Sequence, residues 1–531
     1  MFAKTLPLSY DLIQETLSRS EAGKVVVNGL NAYEGALKKV AAAGLLLFAG
    51  SVIAKIAGFL RQFIIIRMLS PGDYGLFALG LTFFNLMPSL GLLGLYHGSQ
   101  RYIAYYAAVT NNSKVKGAIR SSFLTVMISS TVFISLLAAF SNPLAMLLDK
   151  PELRNILLLF VIGIPFAMLN SLLSSFFLGF HRADIVALLN NYLFSFLSVA
   201  FTFFGLTCWK SAYSPVLAMV ASAMLISFTF LYLFMRIIWR HLEAFKAARI
   251  TKELLLFSLP LFFSGVSYII LNNTDTLMLG YYMTSEAVGY YNAAFLLMQS
   301  LAIFLGSFSV IFMPVLTSLV AKAFRKEARE LYQVVTKWIS VLTAPAILTL
   351  FLFPRQVLTT LFSPAYGQAE KALGILVAAE FVHTTLGPNE QALIAHGASK
   401  SVFTGYATAA VLNIVLNALL IPRMGITGAA VATGISLMVL NIFFSTELFI
   451  RFKVHPFGWK LLLPLTLCSA SAAALYIPLK ASVNSFGWLA FLCYPFFLIL
   501  DIFFIIITRS YSKEDIVVLK AIKSRLINIR N

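Results

Sequence analysis

Charge is scarce in this chain, and acid is scarcer still. Of 531 residues only 11% are charged, and 21 Asp and Glu face 40 Lys and Arg. With 60% hydrophobic residues, there is too little polar side chain to cover a water-facing surface, so an ordinary soluble globular protein is excluded. Cysteine is nearly absent: Cys208, Cys468 and Cys493 stand singly in apolar segments, which excludes a disulfide framework and a cysteine-based metal site. Acid-bearing loops are short, Asp149 to Glu152 and Glu327 to Glu330. No paired-aspartate metal motif and no phosphate-cradling glycine loop is present, so neither a metal nor a cofactor is expected. A membrane glycosyltransferase or polymerase, which needs a carboxylate-bearing catalytic loop of some length, is therefore a remote alternative, and the chain is not expected to be an enzyme.

What fills the sequence instead is long apolar runs, with a mean hydropathy of +0.87. A span needs about 20 apolar residues, and the chain has room for about fourteen. The expected fold is an all-α polytopic membrane protein. Spans are predicted near 41–69, 75–97, 120–141, 156–180, 184–208 and 213–238, then near 253–282, 287–320, 334–362, 371–395, 400–421 and 426–450, and finally near 459–478 and 486–508. This divides the chain into a tail (1–40), a six-helix bundle (41–240), a connector (241–252), a second six-helix bundle (253–451), two additional helices (459–508) and a C-terminal tail (509–531). The first tail is mixed and basic, and lacks the uninterrupted apolar core of a signal peptide.

The net charge of +19 would suggest nucleic acid in a soluble chain. Here the cations collect after even-numbered spans: Arg101, Lys114, Lys116 and Arg120, then Arg236 to Lys252, Lys322 to Arg329, and Arg451 with Lys453. The odd-numbered loops are poorer, with Asp73, a mixed Asp149 to Arg154, Lys210, Glu286, Glu370 and Lys371. That alternation is a topology signal, predicting both termini in the cytoplasm and no nucleic-acid partner.

The two halves echo each other. Leu69-Ser-Pro-Gly-Asp-Tyr-Gly-Leu-Phe-Ala-Leu-Gly80 recurs as Met283-Thr-Ser-Glu-Ala-Val-Gly-Tyr-Tyr-Asn-Ala-Ala294, so that Ser70 answers to Thr284, Gly75 to Gly289 and Phe77 to Tyr291. The displacement is 214 residues (289 − 75), as a duplicated transporter would show.

Four stretches carry a family resemblance: Arg67-Met-Leu-Ser-Pro-Gly-Asp-Tyr-Gly-Leu-Phe77; Asn272-Asn-Thr-Asp-Thr-Leu-Met-Leu-Gly280 with Val288-Gly-Tyr-Tyr-Asn-Ala-Ala294; Leu386-Gly-Pro-Asn-Glu-Gln-Ala-Leu-Ile-Ala-His-Gly397; and the run from Val411 to Thr433. Over roughly 40–450 the chain resembles the polysaccharide exporters, including O-antigen-type flippases, of the superfamily that also holds multidrug extruders and peptidoglycan-precursor flippases. The resemblance implies two bundles that alternate access and flip a lipid-linked (polyprenyl diphosphate) oligosaccharide across the cytoplasmic membrane, in surface polysaccharide or glycan biosynthesis. It also implies a monomer, and a C-terminal helix pair that varies between members.

Candidate residues follow from intramembrane charge. Lys55 and Arg61 lie in the first span, where each charge costs about 2.5–3.5 kcal/mol at a helix centre, against about 0.3–0.6 kcal/mol returned per Leu or Ile. Ser51, Lys55, Gly58 and Gln62 share one helical stripe, which predicts a polar cavity. A diphosphate headgroup would be held there by Arg61 first, then Lys55 and Arg101. The competing reading has these cations snorkelling or paired with acids. Asp275, beside Asn272 in the seventh span, is expected to pair with Arg61, to bind a coupling cation, or to fix the two bundles together. Glu380 and His383, three apart beside the break at Gly387-Pro388, suggest proton coupling, or else a structural Glu–His hydrogen bond. Asn85, Asn170, Asn190, Asn191, Asn413 and Asn417 read as interhelical glue. The expected partners are thus a lipid-linked oligosaccharide, membrane lipids, and H+ or Na+. The rivals on the same fold are a multidrug extruder, which would favour carboxylates for organic cations, and a peptidoglycan-precursor flippase.

Overall fold

The computed structural model of the chain describes residues 50–485 and 487–511. The 1–40 tail, the start of the first predicted span and most of the 509–531 tail lie outside the described residues. Regular structure among those described is helical, as lipid demands: a helix closes its backbone hydrogen bonds within one segment. Among the described residues eleven segments are long and apolar enough to cross a membrane, fewer than the about fourteen expected.

Helix α1 occupies 50–68. α2 (Pro71–Gly91) and α3 (Leu95–Ala108) form one bent span, and α4 (Asn112–Leu147), α5 (Leu153–Gly179), α6 (Ala183–Cys208) and α7 (Tyr213–Leu242) complete the first half. The second half comprises α8 (Thr251–Tyr282), α9 (Ser285–Ala321), α10 (Arg325–Leu352), the short α11 (Pro354–Leu361), α12 (Glu370–Leu386), α13 (Asn389–Ala395), α14 (Ser399–Met424) and α15 (Ile426–Phe452). α16 (Trp459–Ser485) and α17 (Leu489–Ile507) follow, and both lie against α10, with Tyr476 and Phe353 rings 5.8 Å apart. Within the first half α5 is central, packing on α2, α3, α4 and α7; in the second, α15 packs on α12 and α14, and α8 on α14. The chain is a multi-pass membrane protein of two helical halves with an accessory pair.

The duplicated stretch starts α2 and α9 in the same way. Ser70 Oγ accepts from the Asp73 amide at 3.1 Å and Thr284 Oγ1 from the Ala287 amide at 3.4 Å, each satisfying an otherwise unpaired helix N-terminal donor. The two copies then meet. A Cβ built on Gly75 would lie 2.7 Å from the Ser285 carbonyl carbon, and one on Gly289 would lie 3.0 Å from that of Pro71. Only glycine lets these backbones touch, the small-residue packing used between membrane helices. This contact lies at the end of the molecule with few cations. At the opposite, basic end, α3 and α4 pack on the start of α8, with Ser121 and Thr251 hydroxyls 2.8 Å apart and Tyr106 donating to Glu253 at 3.1 Å.

Candidate functional site

α1 runs along the seam between the halves. Lys55 extends across it to α9, where its Nζ lies against Gly306 so closely that a methyl there would overlap it. Arg61, six residues further on, lies beside Tyr74 of α2. Among the described residues its buried Nε has no hydrogen-bond partner, and Gln62 Oε1 is in the same condition. Among the described residues no acid forms an ion pair with Lys55 or Arg61. Beyond Arg61 the seam is filled by aromatic rings: Phe63 and Phe362 have centroids 6.1 Å apart, Phe362 and Tyr366 5.5 Å, and Tyr290 and Tyr366 5.8 Å. Lys55 and Arg61 therefore sit on the basic side of an aromatic plug. Arg101 is apart from them, stacked at 4.1 Å on the Phe257 ring of α8.

Asp275 corrects two of the expectations placed on it. It does not pair with Arg61, and it does not join the halves; it is 2% exposed inside the second half. Oδ1 accepts from Asn417 Nδ2 at 2.6 Å and from Asn413 Nδ2 at 3.0 Å, both on α14. Oδ2 accepts from Tyr291 of α9 at 2.6 Å and from the Thr433 hydroxyl of α15. Among the described residues, donors from three helices thus converge on the α8 carboxylate, all of them neutral. A carboxylate accepting this many hydrogen bonds is held in a defined place, but its charge is uncompensated in a low-dielectric setting. Next to it, the Asn417 side-chain oxygen is buried without a partner among the described residues. Asn272, three residues before Asp275, is half-buried on α8.

The tenth span breaks where Gly387-Pro388 predicts. Gly387 has φ of +70°, with Thr336 packed against it, and Tyr332 donates to the freed Leu386 carbonyl at 2.5 Å. Glu380 and His383 approach to 3.4 Å. Glu380 is 2% exposed, and its Oε1 has no partner among the described residues. Asn389, just past the break, is pinned to α15 by bonds to Asn441 and Ser445 at 3.1–3.3 Å.

Sequence reasoning missed the partners of Asp275. The i, i+4 spacing of Asn413 and Asn417 was the available signal, since it puts two amides on one face of one helix. Two cations at the other end of the molecule were also missed. Lys150, in the loop between α4 and α5, is only 5% exposed and donates to the carbonyls of Leu148 (2.9 Å), Gly280 (2.6 Å) and Met283 (2.8 Å). Arg67, at the end of α1, donates to the carbonyls of Thr360, Leu361 and Phe362 where α11 ends.

A family model described as "Polysaccharide biosynthesis protein" matches residues 40–320. An uncharacterized membrane protein of Methanocaldococcus jannaschii is 24% identical over 407 residues, covering 70% of this chain and 76% of that protein. A probable low-salt glycan biosynthesis flippase, Agl15 of Haloferax volcanii, is 26% identical over 195 residues, 35% of this chain and 40% of that protein. Among solved structures, the lipid II flippase MurJ in an inward closed conformation aligns with a TM-score of 0.68 at 16% identity, over 88% of this chain and 99% of that one. An inward-facing multidrug transporter of the MATE family aligns with 0.65 at 16% identity, over 77% and 98%. At these identities the structural likeness is one of fold.

Proposed function

The chain belongs to the polysaccharide biosynthesis protein family of membrane flippases and transporters, and from that premise we propose that it flips a lipid-linked oligosaccharide across the cytoplasmic membrane by alternating access. The observation that carries this reading is the pair of α1 cations, Lys55 and Arg61, on the seam with no acid bound to either among the described residues. A cation at membrane depth costs several kcal/mol unless something compensates it. A diphosphate fits, because a guanidinium binds phosphate oxygens through two parallel charge-assisted hydrogen bonds. The ammonium of Lys55 adds a point charge six residues away on the same helix.

In this reading the basic end is cytoplasmic, as its loop charges suggest. The headgroup enters between the halves from that side, reaches Arg61 beneath the aromatic plug, and leaves once the α2–α9 contact parts. The sign of the charge favours an anionic substrate over the organic cations of a multidrug extruder.

Coupling has two candidate seats. At Asp275 a proton, or a sodium ion, would neutralise the buried charge; side-chain oxygens of Asn413, Asn417 and Thr433 are at hand once the amides turn. At Glu380 and His383 a proton would serve. Both seats lie in the second half, so binding there would reposition α8, α14 and α15 against the first half.

Native mass spectrometry of the gently purified protein tests the substrate class. Co-purified polyprenyl phosphate or diphosphate carrying sugars supports the proposal. Only ordinary phospholipids, or an amphipathic organic cation, would shift the reading to an extruder. A peptidoglycan precursor would identify the third member of this fold group.

A further inference from the structure

Resting on the alternating-access reading, we infer that Lys150 is a positioning residue for transport: a latch that holds the cation-poor end of the seam shut by capping the C-terminus of α8 from across it. An ammonium has three donors and no acceptor. All three protons of Lys150 meet carbonyls, one in its own loop and two, Gly280 and Met283, in the other half. The last carbonyls of a helix have no intrahelical partner and carry its negative dipole end, so they suit a cation. Leu279 O is already taken by the Met283 amide at 2.9 Å, and Gly280 O by Lys150.

Burial pushes the Lys150 ammonium down from its ordinary range, and Asp149 from its own half and Glu286 from the other pull it back up. Opening the seam would strip the ammonium of two of its three acceptors. The latch is set where movement matters. Gly72 packs against Glu286, and the Gly75–Gly289 contact is in the same end of the seam. A cavity of about 480 Å³ lies over the latch, lined by Asp149, Lys150, Tyr281, Tyr282, Thr284 and Glu286, and gives water access to it on opening. Gly280 follows Asp275 by five residues on α8, roughly 7.5 Å along the axis. The helix end that Lys150 holds is therefore directly linked to the buried carboxylate. Arg67 repeats the device, an α1 cation on the end of α11.

The test uses the full-length protein in proteoliposomes, with Cys208→Ser removing the exposed native thiol and Ala78→Cys as reporter. Ala78 is 6% exposed and lies one turn beyond Gly75 on the same stripe of α2. A membrane-impermeant maleimide is added on the cation-poor side. Lys150→Met should raise the labelling rate at least tenfold, Lys150→Arg much less, and Arg67→Met should raise it independently. Thermal stability, measured in parallel, separates the latch from a structural role. A Lys150 that merely stiffened its loop would lower stability and leave labelling unchanged, and that outcome overturns the inference. Should Lys150→Met not fold, Lys150→Gln, which keeps two donors, must show an intermediate rate; a rate equal to the reporter alone overturns it equally. Labelling needs no substrate. Faster labelling without glycan flipping by the parent protein would therefore keep the latch and discard the flippase reading.

Discussion

Adding a single methyl at the α2–α9 contact should bias the transporter open at its cation-poor end. In Gly75→Ala the new carbon would lie 2.7 Å from the Ser285 carbonyl carbon, and nearer still to its oxygen, where ordinary contact begins at 3.4 Å. No rotamer relieves this, because both sides are backbone and Cβ has no torsion of its own. The helices must separate by about 1 Å, a strain of the overpacking kind that costs about 1–3 kcal/mol. That is charged to the closed state alone, so the closed-to-open ratio should fall by a factor of roughly 5–150. Gly289→Ala strains the same contact from the other half and should behave alike, since its carbon would meet Pro71. Spin labels at Met146→Cys in the first half and Arg355→Cys in the second, both exposed at this end, report the separation by pulsed dipolar spectroscopy. The expected result is a new, longer component with transport lost and membrane insertion intact. Distance distributions superimposable on the parent's, with full transport, would refute the closed-seam reasoning.

Three further outcomes follow from the buried groups. Asp275→Leu strands four donors, at about 1–3 kcal/mol each, and should give little folded protein, whereas Asp275→Asn should insert and fold but not transport; size-exclusion yield against flipping rate separates the two. If Glu380 and His383 carry the coupling proton, transport should rise with an imposed proton gradient and Glu380→Gln should abolish that response; a rate indifferent to the gradient in the parent protein dismisses the role. At the basic end, burial, and then the neighbouring Arg329, hold His455 below its ordinary imidazole pKa. The unfolded chain therefore takes up the proton first as pH falls through about 6.5, and this contribution to stability is present above that value and lost below it. Thermal unfolding between pH 8 and pH 5 should show the loss, and His455→Asn should flatten it.

Much of the architecture was legible because membrane insertion imposes simple rules. Apolar runs located most of the helices, although eleven of the about fourteen expected spans are found among the described residues; Ser70 and Thr284 stood out as matching positions of the repeat, and Gly387-Pro388 marked the break in the tenth span. The duplicated glycines were legible as a repeat but not as a contact, since nothing in one copy says that it will face the other. Arg61 could be singled out by the cost of its charge. Its placement beside Tyr74 could not, because that depends on how α1 and α2 cross. Asp275 was visible as a buried acid, yet its expected Arg61 partner is in the other half; the interhelical amides Asn413 and Asn417 hold it instead, a pairing that no pattern specified. Lys150 was invisible for a different reason: its partners are backbone carbonyls, which every residue has, so no sequence pattern announces them.

In the proposed mechanism, cations on the seam carry an anionic lipid-linked glycan across the membrane. The most direct test is flipping by the purified protein in vesicles loaded with a polyprenyl diphosphate oligosaccharide, scored by the fraction of glycan accessible to an external lectin. Transfer is expected from the parent protein and none from Arg61→Ala at equal insertion. Undiminished transfer by Arg61→Ala would contradict it.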